Sequence, residues 1–377
     1  MSLRNTNLCP LDQRSPHWRT KLYSVQKPRV MGAYSKKDNE FINSLNCLRY
    51  LRLPEANEIP WNLNIGYEDY QKNFPVGITR RDIDDILKFI TMHPDKMKIY
   101  GDDRLEKSSK VIFPDFVCQA GLLTELLEIP YRNKNNESDN FLVCNNVMAT
   151  KYRGTIYLLM TLTCDCCNYG LTGKDENDKL FYYGQRYRHM MTTDNLNKQA
   201  DFAESVFDGD FFVSFQSRLG RYDIFYTGDI NGVQSERNLD EHEDLAEAQV
   251  KFIEVHTQNF LTGVETLYSG HRNPEGILEA IEPIAVKEIP KMAASEWKDS
   301  VCVKFAIAFL DLVKAEMRDI DDPNTVFKFV YDPTVSDCVQ YQILPGKSEL
   351  SFLPTWYVDF LDELAADGST VKESSDH

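Results

Sequence analysis

The most informative absence in this sequence of 377 residues is that of long apolar segments. No stretch approaches the roughly 18 unbroken apolar residues of a transmembrane helix, so we expect neither a membrane span nor a membrane partner. The N-terminus, MSLRNTNLCPLDQRSPHWRTK, lacks the apolar centre of a secretory signal peptide. The sequence therefore predicts an intracellular protein, located in the nucleus, the cytoplasm or both.

Cysteine pairs with metal-ligand spacing are also missing, although the chain contains nine cysteines. The one cluster is Cys164, Cys166 and Cys167, in TLTCDCCNYG. Zinc sites use C-x₂-C pairs together with a second pair or with histidines at a distance, and no such second pair occurs here. The sequence disfavours a zinc site, and we expect reduced thiols that lie mostly in the core.

Common catalytic motifs and a basic charge balance are absent as well. The sequence contains no G-x-x-x-x-G-K-[ST], G-x-G-x-x-G, G-x-S-x-G or H-E-x-x-H. Two of its seven histidines, His242 and His256, share one predicted helix but lie nearly four turns apart, too far for one metal. A formal net charge of −16 opposes broad binding to phosphate backbones, while a local basic channel stays compatible with RNA.

The apolar spacing predicts an α+β chain without regular βαβ alternation. Helical patterns cover residues 82–93, 113–131, 182–191, 239–261 and 299–317. Strand patterns cover residues 140–164, with a turn at Arg153-Gly154, and residues 210–233, 326–332 and 338–344. No repeat or Pro/Gly-rich linker divides the chain, so we expect a flexible arm (1–30), one domain (31–367) and a disordered tail (368–377).

The stretch TGDINGV carries the most suggestive chemistry, because Asp229 and Asn231 flank Ile230 at the end of a predicted strand. Side chains at i and i+2 of a strand point to the same face, so the two polar groups stand side by side. Two carboxylates there would make half of a divalent-metal site, whereas a carboxylate with an amide makes a weaker one. Three interpretations stay open: an active site, a degenerate one, or a strand end at which Asp229 caps a turn.

Several segments resemble the decapping exonuclease (DXO) family, which includes the nuclear partner of the 5′→3′ exoribonuclease. DFVCQAGLLTELLEIPY (115–131) is similar to the family's D-F-V-x-W-R-G-x-L-T-K-L-L-x-x-P-Y, and SRLGRYDIFYTGDING (217–232) to its S-R-L-G strand ending in S-G-E-V-D. Further matches, in the family's order, are MGAYS, LRYLRLP, QNFLTGV, GHRNPEG, SVCVKFAIAFL and FLPTWYVDFL. The resemblance implies a single DXO-like domain of two mixed β-sheets flanked by helices, with a pocket between the sheets.

The resemblance also implies a chemistry and the residues that perform it. In the family, pocket carboxylates hold two Mg²⁺ or Mn²⁺ ions, and a metal-activated water cleaves the 5′ end of incompletely capped or NAD-capped RNA. Here Ala120 stands where the family's W-R-G has its Arg, and Arg188 where G-Φ-K-F-E has its Glu. Asp229 and Asn231 replace the two acids of E-V-D, so one formal charge remains of two.

The family's last element, E-Φ-K, has two alignments in this sequence. In one, Glu254 of IEVHTQ is its Glu. In the other, which we favour, QNFLTGV matches Q-S-F-L-P-G-V, so that Gln258 takes the place of the family's active-site Gln. Residues 239–261 are then the helix that follows the E-Φ-K element, and the E-Φ-K strand itself is shortened or lost. The family's Lys is missing in both. Arg49, in LRYL, matches a family Arg thought to face the substrate.

The charge of the implied pocket argues against metal binding. Asp229 contributes −1 and Arg188 +1, and Glu254 adds −1 only in the less favoured alignment, against +4 for two Mg²⁺ ions. We therefore expect no metal or other cofactor, and a salt bridge from Arg188 to Asp229 in the space of a metal. The substrate-binding candidates are Arg49, Asp229 and Gln258; a surface Arg, a turn cap and a buried amide are their ordinary structural explanations.

Three functions follow from the resemblance. The first is a degenerate member that binds RNA 5′ ends or protein partners in RNA surveillance or protection, similar to the Cutoff branch, which shields piRNA-precursor transcripts within a chromatin-bound complex. The second is an active decapping nuclease in which Asp229, Glu254 and Asp194 regroup around Mg²⁺ or Mn²⁺. The third is a protein-interaction scaffold whose pocket Arg188 closes. The partners implied are RNA 5′ ends, a 5′→3′ exoribonuclease or a chromatin-bound complex; no oligomeric state is predicted.

Overall fold

The computed structural model describes residues 3–9, 24–55, 58–72, 83–97, 113–131, 145–162, 176–198, 206, 209–255, 261–292, 298–332 and 336–373. The larger sheet contains β1 (Arg4–Asn5), β2 (Arg29–Lys37), β3 (Glu40–Ile42), β6 (Phe116–Gln119), β7 (Asn145–Tyr152), β8 (Thr155–Leu162), β10 (Asp210–Leu219), β11 (Tyr222–Asp229), β16 (Val326–Val330) and β17 (Gln340–Leu344). The smaller sheet contains β4 (Tyr50–Leu51), β5 (Trp61–Asn62), β9 (Thr192–Thr193), β12 (Gly232–Gln234), β13 (Lys251–Glu254), β14 (Thr266–Arg272) and β15 (Ile277–Ala285). The helices are α1 (Tyr67–Lys72), α2 (Asp84–Met92), α3 (Ala120–Glu128), α4 (Glu176–Met191), α5 (Ile289–Met292), α6 (Asp299–Glu316) and α7 (Thr355–Glu373).

Both sheets are mixed, which confirms the predicted α+β class. The larger has the strand order β1-β17-β16-β7-β8-β6-β11-β10-β2-β3, and the smaller β5-β15-β14-β13-β12-β4-β9. At the centre of the larger sheet, β11 pairs in parallel with β6 and antiparallel with β10. In the smaller sheet, β13 pairs antiparallel with β12 and in parallel with β14.

Both faces of β11 are covered, and this explains its unbroken apolar run. Ile224 and Tyr226 belong to the main core, to which α3 and α6 also contribute. Phe225, between them, points to the opposite face and packs in a second cluster with residues of α2 and α7. Period-two alternation with apolar residues on both sides is what a strand buried on two faces requires. A third cluster packs α4 against the smaller sheet.

Most of the predicted elements are confirmed. The β7–β8 hairpin turns at Arg153 and Gly154, whose φ angles of 52° and 82° are those of a tight hairpin turn. The β10–β11 and β16–β17 pairs, and helices α2, α4 and α6, lie where the apolar spacing predicts them. The segment 113–131 differs, because the strand β6 precedes α3.

The predicted helix over residues 239–261 was wrong. Described residues 239–250 form turns and irregular backbone, and Lys251–Glu254 is strand β13. Pairing with β12 and β14 on its two sides satisfies the backbone of this short strand, so tertiary contacts override the local helical pattern.

The chain ends also differ from the expected flexible arm and tail. β1 pairs with β17, Leu8 is buried, and a disulfide joins Cys9 to Cys338, so residues 3–9 belong to the folded body and not all thiols are reduced. At the other end, α7 extends to Glu373, so the predicted tail (368–377) overlaps a helix. Residues 164–167 lie outside the described residues.

None of the helices described is both long enough and apolar enough to cross a membrane.

Candidate functional site

The candidate site lies where the chain passes from the larger sheet to the smaller one. Asp229 is the last residue of β11, and Gly232 begins β12, so Asp229–Asn231 join the two sheets. The backbone N–H of Ile230 donates to the carbonyl of Phe211 at 2.9 Å, which extends the β10–β11 pairing beyond the end of β11. Groups at this crossing are held by strands of both sheets.

Arg188 places its guanidinium between two carboxylates at this crossing. It belongs to the last turn of α4, and its side chain is only 8 % exposed. Its Nη1 lies 3.6 Å from Oδ1 of Asp210 and 3.9 Å from Oδ2 of Asp229. Its Nη2 donates to the carbonyl of Gly209 at 3.4 Å. The predicted ion pair with Asp229 is thereby confirmed, and Asp210, at the start of β10, joins it.

Asp229 is held in an environment that disfavours its charge. Its side chain as a whole is 45 % exposed, but the Oδ1 atom has no contact with solvent. Burial raises the pKa of this carboxyl to about 6, against the lowering effect of the Arg188 guanidinium, and the nearby carboxylate of Asp210 raises it further. At a pKa of about 6 the carboxyl is mostly ionised at pH 7, so the charge that a metal would meet here is that of Asp229 together with Arg188 and Asp210.

Asn231 has a structural task that its place in the motif does not reveal. Its buried side-chain oxygen accepts a hydrogen bond from the backbone N–H of Val255 at 2.9 Å. Val255 directly follows β13, so the amide joins the end of that strand to the start of β12. Asp229 and Asn231 therefore act differently, one in an ion-pair cluster and the other in the backbone network.

Glu254 is the last residue of β13 and is 3 % exposed. The alignment based on Gln258 requires a shortened or lost strand here and a helix over residues 239–261. Instead, β13 is a strand that pairs with β12, and residues 239–255 contain no helix. The strand pairing favours the alignment that reads Glu254 as the family's Glu. Gln258 and His256 lie outside the described residues.

The other predicted residues have structural partners. Arg49 is 6 % exposed, and its guanidinium donates to Oγ1 and the carbonyl of Thr192 at 3.0 and 2.8 Å, which links it to β9. Ala120 is buried at the start of α3, where a Cβ built on Gly228 would lie 3.3 Å from its own. Asp194 is half exposed and pairs with Lys198 at 3.4 Å.

The donor set of this site does not fit two divalent metals. Within the described part of the chain, no three His, Cys, Asp or Glu side chains come together as a metal site would need. The position between the carboxylates of Asp210 and Asp229 belongs to a guanidinium, which repels any further cation at that distance. The residues present assemble an ion-pair cluster in which the arginine is buried and the two carboxylates are about half exposed.

Asp210 is the member of the cluster that the sequence interpretation missed. The predicted hairpin contained the information needed to find it. Phe212 of β10 lies opposite Asp229 of β11, and the pairing continues with Phe211 and Ile230. Extending that register by two residues brings Asp210 to the level of Asn231.

Comparison with known proteins agrees with this fold. Residues 26–358 match the family described as RAI1 like PD-(D/E)XK nuclease, so the chain belongs to that family. The decapping and exoribonuclease protein of Xenopus laevis is 24 % identical over 361 residues, 88 % of this chain and 85 % of that protein. The protein cutoff of Drosophila melanogaster is 32 % identical over 104 residues, 28 % of this chain and 27 % of its own length.

Among solved structures, Candida albicans Rai1 in complex with pU5 and Mn²⁺ matches with a TM-score of 0.72. It covers 97 % of this chain and 100 % of that one at 15 % identity. This likeness establishes the fold. Because that Rai1 complex contains Mn²⁺, the relevant comparison is whether the residues of this chain could hold such an ion.

Proposed function

We propose that this protein binds RNA 5′ ends or protein partners in RNA surveillance or protection, and that it has lost metal-dependent decapping and 5′→3′ exoribonuclease activity. The observation that carries the proposal is the position of Arg188, whose Nη1 lies within 4 Å of the carboxylates of Asp210 and Asp229. In an active nuclease of this family we expect the carboxylate at the position of Asp229 to be available to metal.

The energetic argument rests on charge. Two unit charges 4 Å apart interact by about 4 kcal/mol at an effective dielectric constant of 20, so a divalent ion at that distance from Arg188 is repelled by about 8 kcal/mol. That repulsion cancels the attraction of one carboxylate for the same ion. Since the Arg188 side chain is 8 % exposed, it does not simply point into solvent when a metal approaches.

A Cutoff-like role is the more specific form of the proposal. Its support is a 104-residue segment, 28 % of this chain, that is 32 % identical to the protein cutoff of Drosophila melanogaster. On this proposal the protein shields transcripts such as piRNA precursors within a nuclear, chromatin-bound complex, and RNA is held without being cut.

Two alternatives lead to different experimental results. An active nuclease would regroup Asp229, Glu254 and Asp194 around Mg²⁺ or Mn²⁺, and would remove incomplete or NAD caps. A protein-interaction scaffold would use the same fold with the pocket closed by Arg188 and would bind a partner, such as a 5′→3′ exoribonuclease, without RNA.

The test combines a cleavage assay with a binding assay on the full chain. RNAs carrying a 5′-monophosphate, a 5′-triphosphate or an NAD cap are incubated with Mg²⁺ or Mn²⁺, beside an active Rai1 relative as the positive control. We expect no released cap or nucleotide, together with RNA binding measured by fluorescence anisotropy. Metal-dependent release that Asp229→Ala abolishes would overturn the proposal in favour of the active nuclease. Absence of RNA binding at low salt would favour the scaffold.

A further inference from the structure

A second pocket lies at the opposite end of β11 from Asp229. It has a volume of about 300 Å³ and is lined by α6, by the β7–β8 turn and by the β10–β11 turn. Its charged side chains are Lys151, Arg221, Lys314 and Arg318, with Asp311 as the one acid of the lining. Tyr222 begins β11 and Asp229 ends it, so at roughly 3.3 Å per residue the two sites are about 23 Å apart.

The charge of this pocket opposes that of the whole molecule. The chain carries 58 acidic and 42 basic residues, yet the described residues of the lining include four cations and one carboxylate. Two further carboxylates contact the lining from outside: Asp115 pairs with Lys314, and Asp321 accepts from the N–H of Gly154 at 3.0 Å. Four cations thus face three carboxylates in a protein of net charge −16, which makes this a local positive site.

Two of the four cations are already neutralised. Arg221 donates to Asp311 at 2.5 Å, and the hydroxyl of Tyr222 donates to the same carboxylate. Lys314 is paired with Asp115. These pairs fix the walls of the pocket, because they connect α6 to the end of the sheet at which the parallel strands β6 and β11 begin.

The other two cations have no carboxylate partner in the part of the chain that the structure describes. The ammonium of Lys151 donates to the backbone carbonyls of Met317 and Arg318 at 3.1 and 3.0 Å, where it caps the C-terminal end of α6. An ammonium has three donors, so one remains for a ligand. The exposed guanidinium of Arg318 forms no ion pair or side-chain hydrogen bond with any described residue, and all five of its N–H donors are available.

We propose that this pocket binds the phosphate group of a small phosphorylated molecule, with Arg318 and Lys151 as its direct ligands. The planar fork of a guanidinium matches two phosphate oxygens, and a lysine ammonium adds a point charge. The site has an excess of one positive charge and two cations without a carboxylate partner among the described residues, so it suits an anion such as phosphate that can accept from both. A volume of about 300 Å³ is at the lower end of small-molecule sites, so the ligand is the size of a mononucleotide or smaller.

The test is isothermal titration of the full chain with inorganic phosphate, pyrophosphate and AMP in a chloride buffer of low ionic strength. We expect binding of at least one of the three, weakened about tenfold by Arg318→Gln because a charge-assisted hydrogen bond is lost. AMP that binds more tightly than phosphate identifies a nucleotide as the source of the phosphate, whereas equal affinities identify a free oxyanion; either result supports the site.

Two matched controls separate this pocket from other cations of the molecule. Arg237→Gln removes an exposed arginine that pairs with Glu243 elsewhere, and Arg188→Gln removes the arginine of the candidate functional site. Neither should change the affinity. Equal losses in Arg318→Gln and Arg237→Gln, loss in Arg188→Gln alone, or no binding of any of the three probes would overturn the proposal. Binding of a 5′-phosphorylated RNA oligomer but of no small probe would also overturn it, in favour of an RNA-binding surface.

Discussion

Replacing Asp229 by Asn should stabilise the protein at neutral pH and leave its stability nearly unchanged near pH 4. The pKa of this carboxyl rises from 3.8 to about 6 on folding, chiefly because burial disfavours the charged form. The folded state therefore holds the proton more tightly than the unfolded state does. Stability from this group is fully present below the unfolded pKa and is lost as the pH rises through about 6.

The size of the effect follows from the shift and from the exposure of the group. A shift of this size corresponds to about 3 kcal/mol for a fully buried carboxyl. The Asp229 side chain is 45 % exposed, and solvent screening reduces the expected cost of its charge at neutral pH to about 1 kcal/mol. Asn keeps the shape without the charge, so Asp229→Asn removes that cost. The attraction to Arg188 that the variant loses is already part of the net shift.

Urea denaturation of wild type and Asp229→Asn between about pH 4.5 and pH 7.5 measures the difference in free energy of unfolding. We expect the difference to grow with pH and to level off above about 6. Asp210→Asn in the wild-type background should weaken this pH dependence, because the carboxylate of Asp210 contributes to the raised pKa, and Arg188→Gln should strengthen it. A variant Asp229→Asn that is less stable than wild type at pH 7, or a difference that does not change with pH, would refute the reasoning.

Three further predictions concern the scaffold around the sites, and chemical denaturation measures each of them. Asn231→Ala should cost about 1–3 kcal/mol because the N–H of Val255 loses its acceptor; unchanged stability would mean that another group accepts this hydrogen bond. Gly232→Ala should cost about 1–3 kcal/mol, since the new Cβ would lie 2.9 Å from a backbone carbonyl oxygen; a neutral result would mean that the chain shifts freely here. Tyr157→Phe should cost about 1–2 kcal/mol, because the buried hydroxyl of Tyr357 loses its hydrogen-bond partner at 3.1 Å. The double variant, with Phe at both positions, should lose less stability than the sum of the two single variants. Strictly additive losses would contradict a coupled pair.

The elements that sequence reasoning located correctly are those whose pattern is local. Arg153-Gly154 between two apolar runs predicts the β7–β8 hairpin, and a long apolar helical pattern predicts α6. Residues 239–261 carried a similar signal, acidic first and apolar later, yet Lys251–Glu254 is a strand. Its strand partners are the preceding strand β12 and the following strand β14, so the decisive interactions lie outside the segment and are not encoded in its own spacing.

The sequence predicted the ion pair of the candidate site but not all of the residues that form the site. The replacement of a family acid by Arg188 and the pairing of that residue with Asp229 follow from motif positions alone. Asp210 belongs to no motif and enters through the register of β10 against β11, which is a property of the pair of strands. The hydrogen bond from Val255 to Asn231 was equally out of reach, because it depends on β13 being a strand.

The pairing of β1 with β17 has a practical consequence for anyone who trims the chain. The family match spans residues 26–358, and a fragment cut to those limits lacks β1 and therefore leaves the outer edge of β17 unpaired. Such an edge offers free N–H and C=O groups to any other strand and promotes intermolecular sheet extension. The same cut removes Cys9 and leaves the Cys338 thiol free. The two residues Arg4–Asn5 thus cover an edge of the larger sheet and oppose self-association. We expect a fragment that lacks them to be less soluble than one that keeps them.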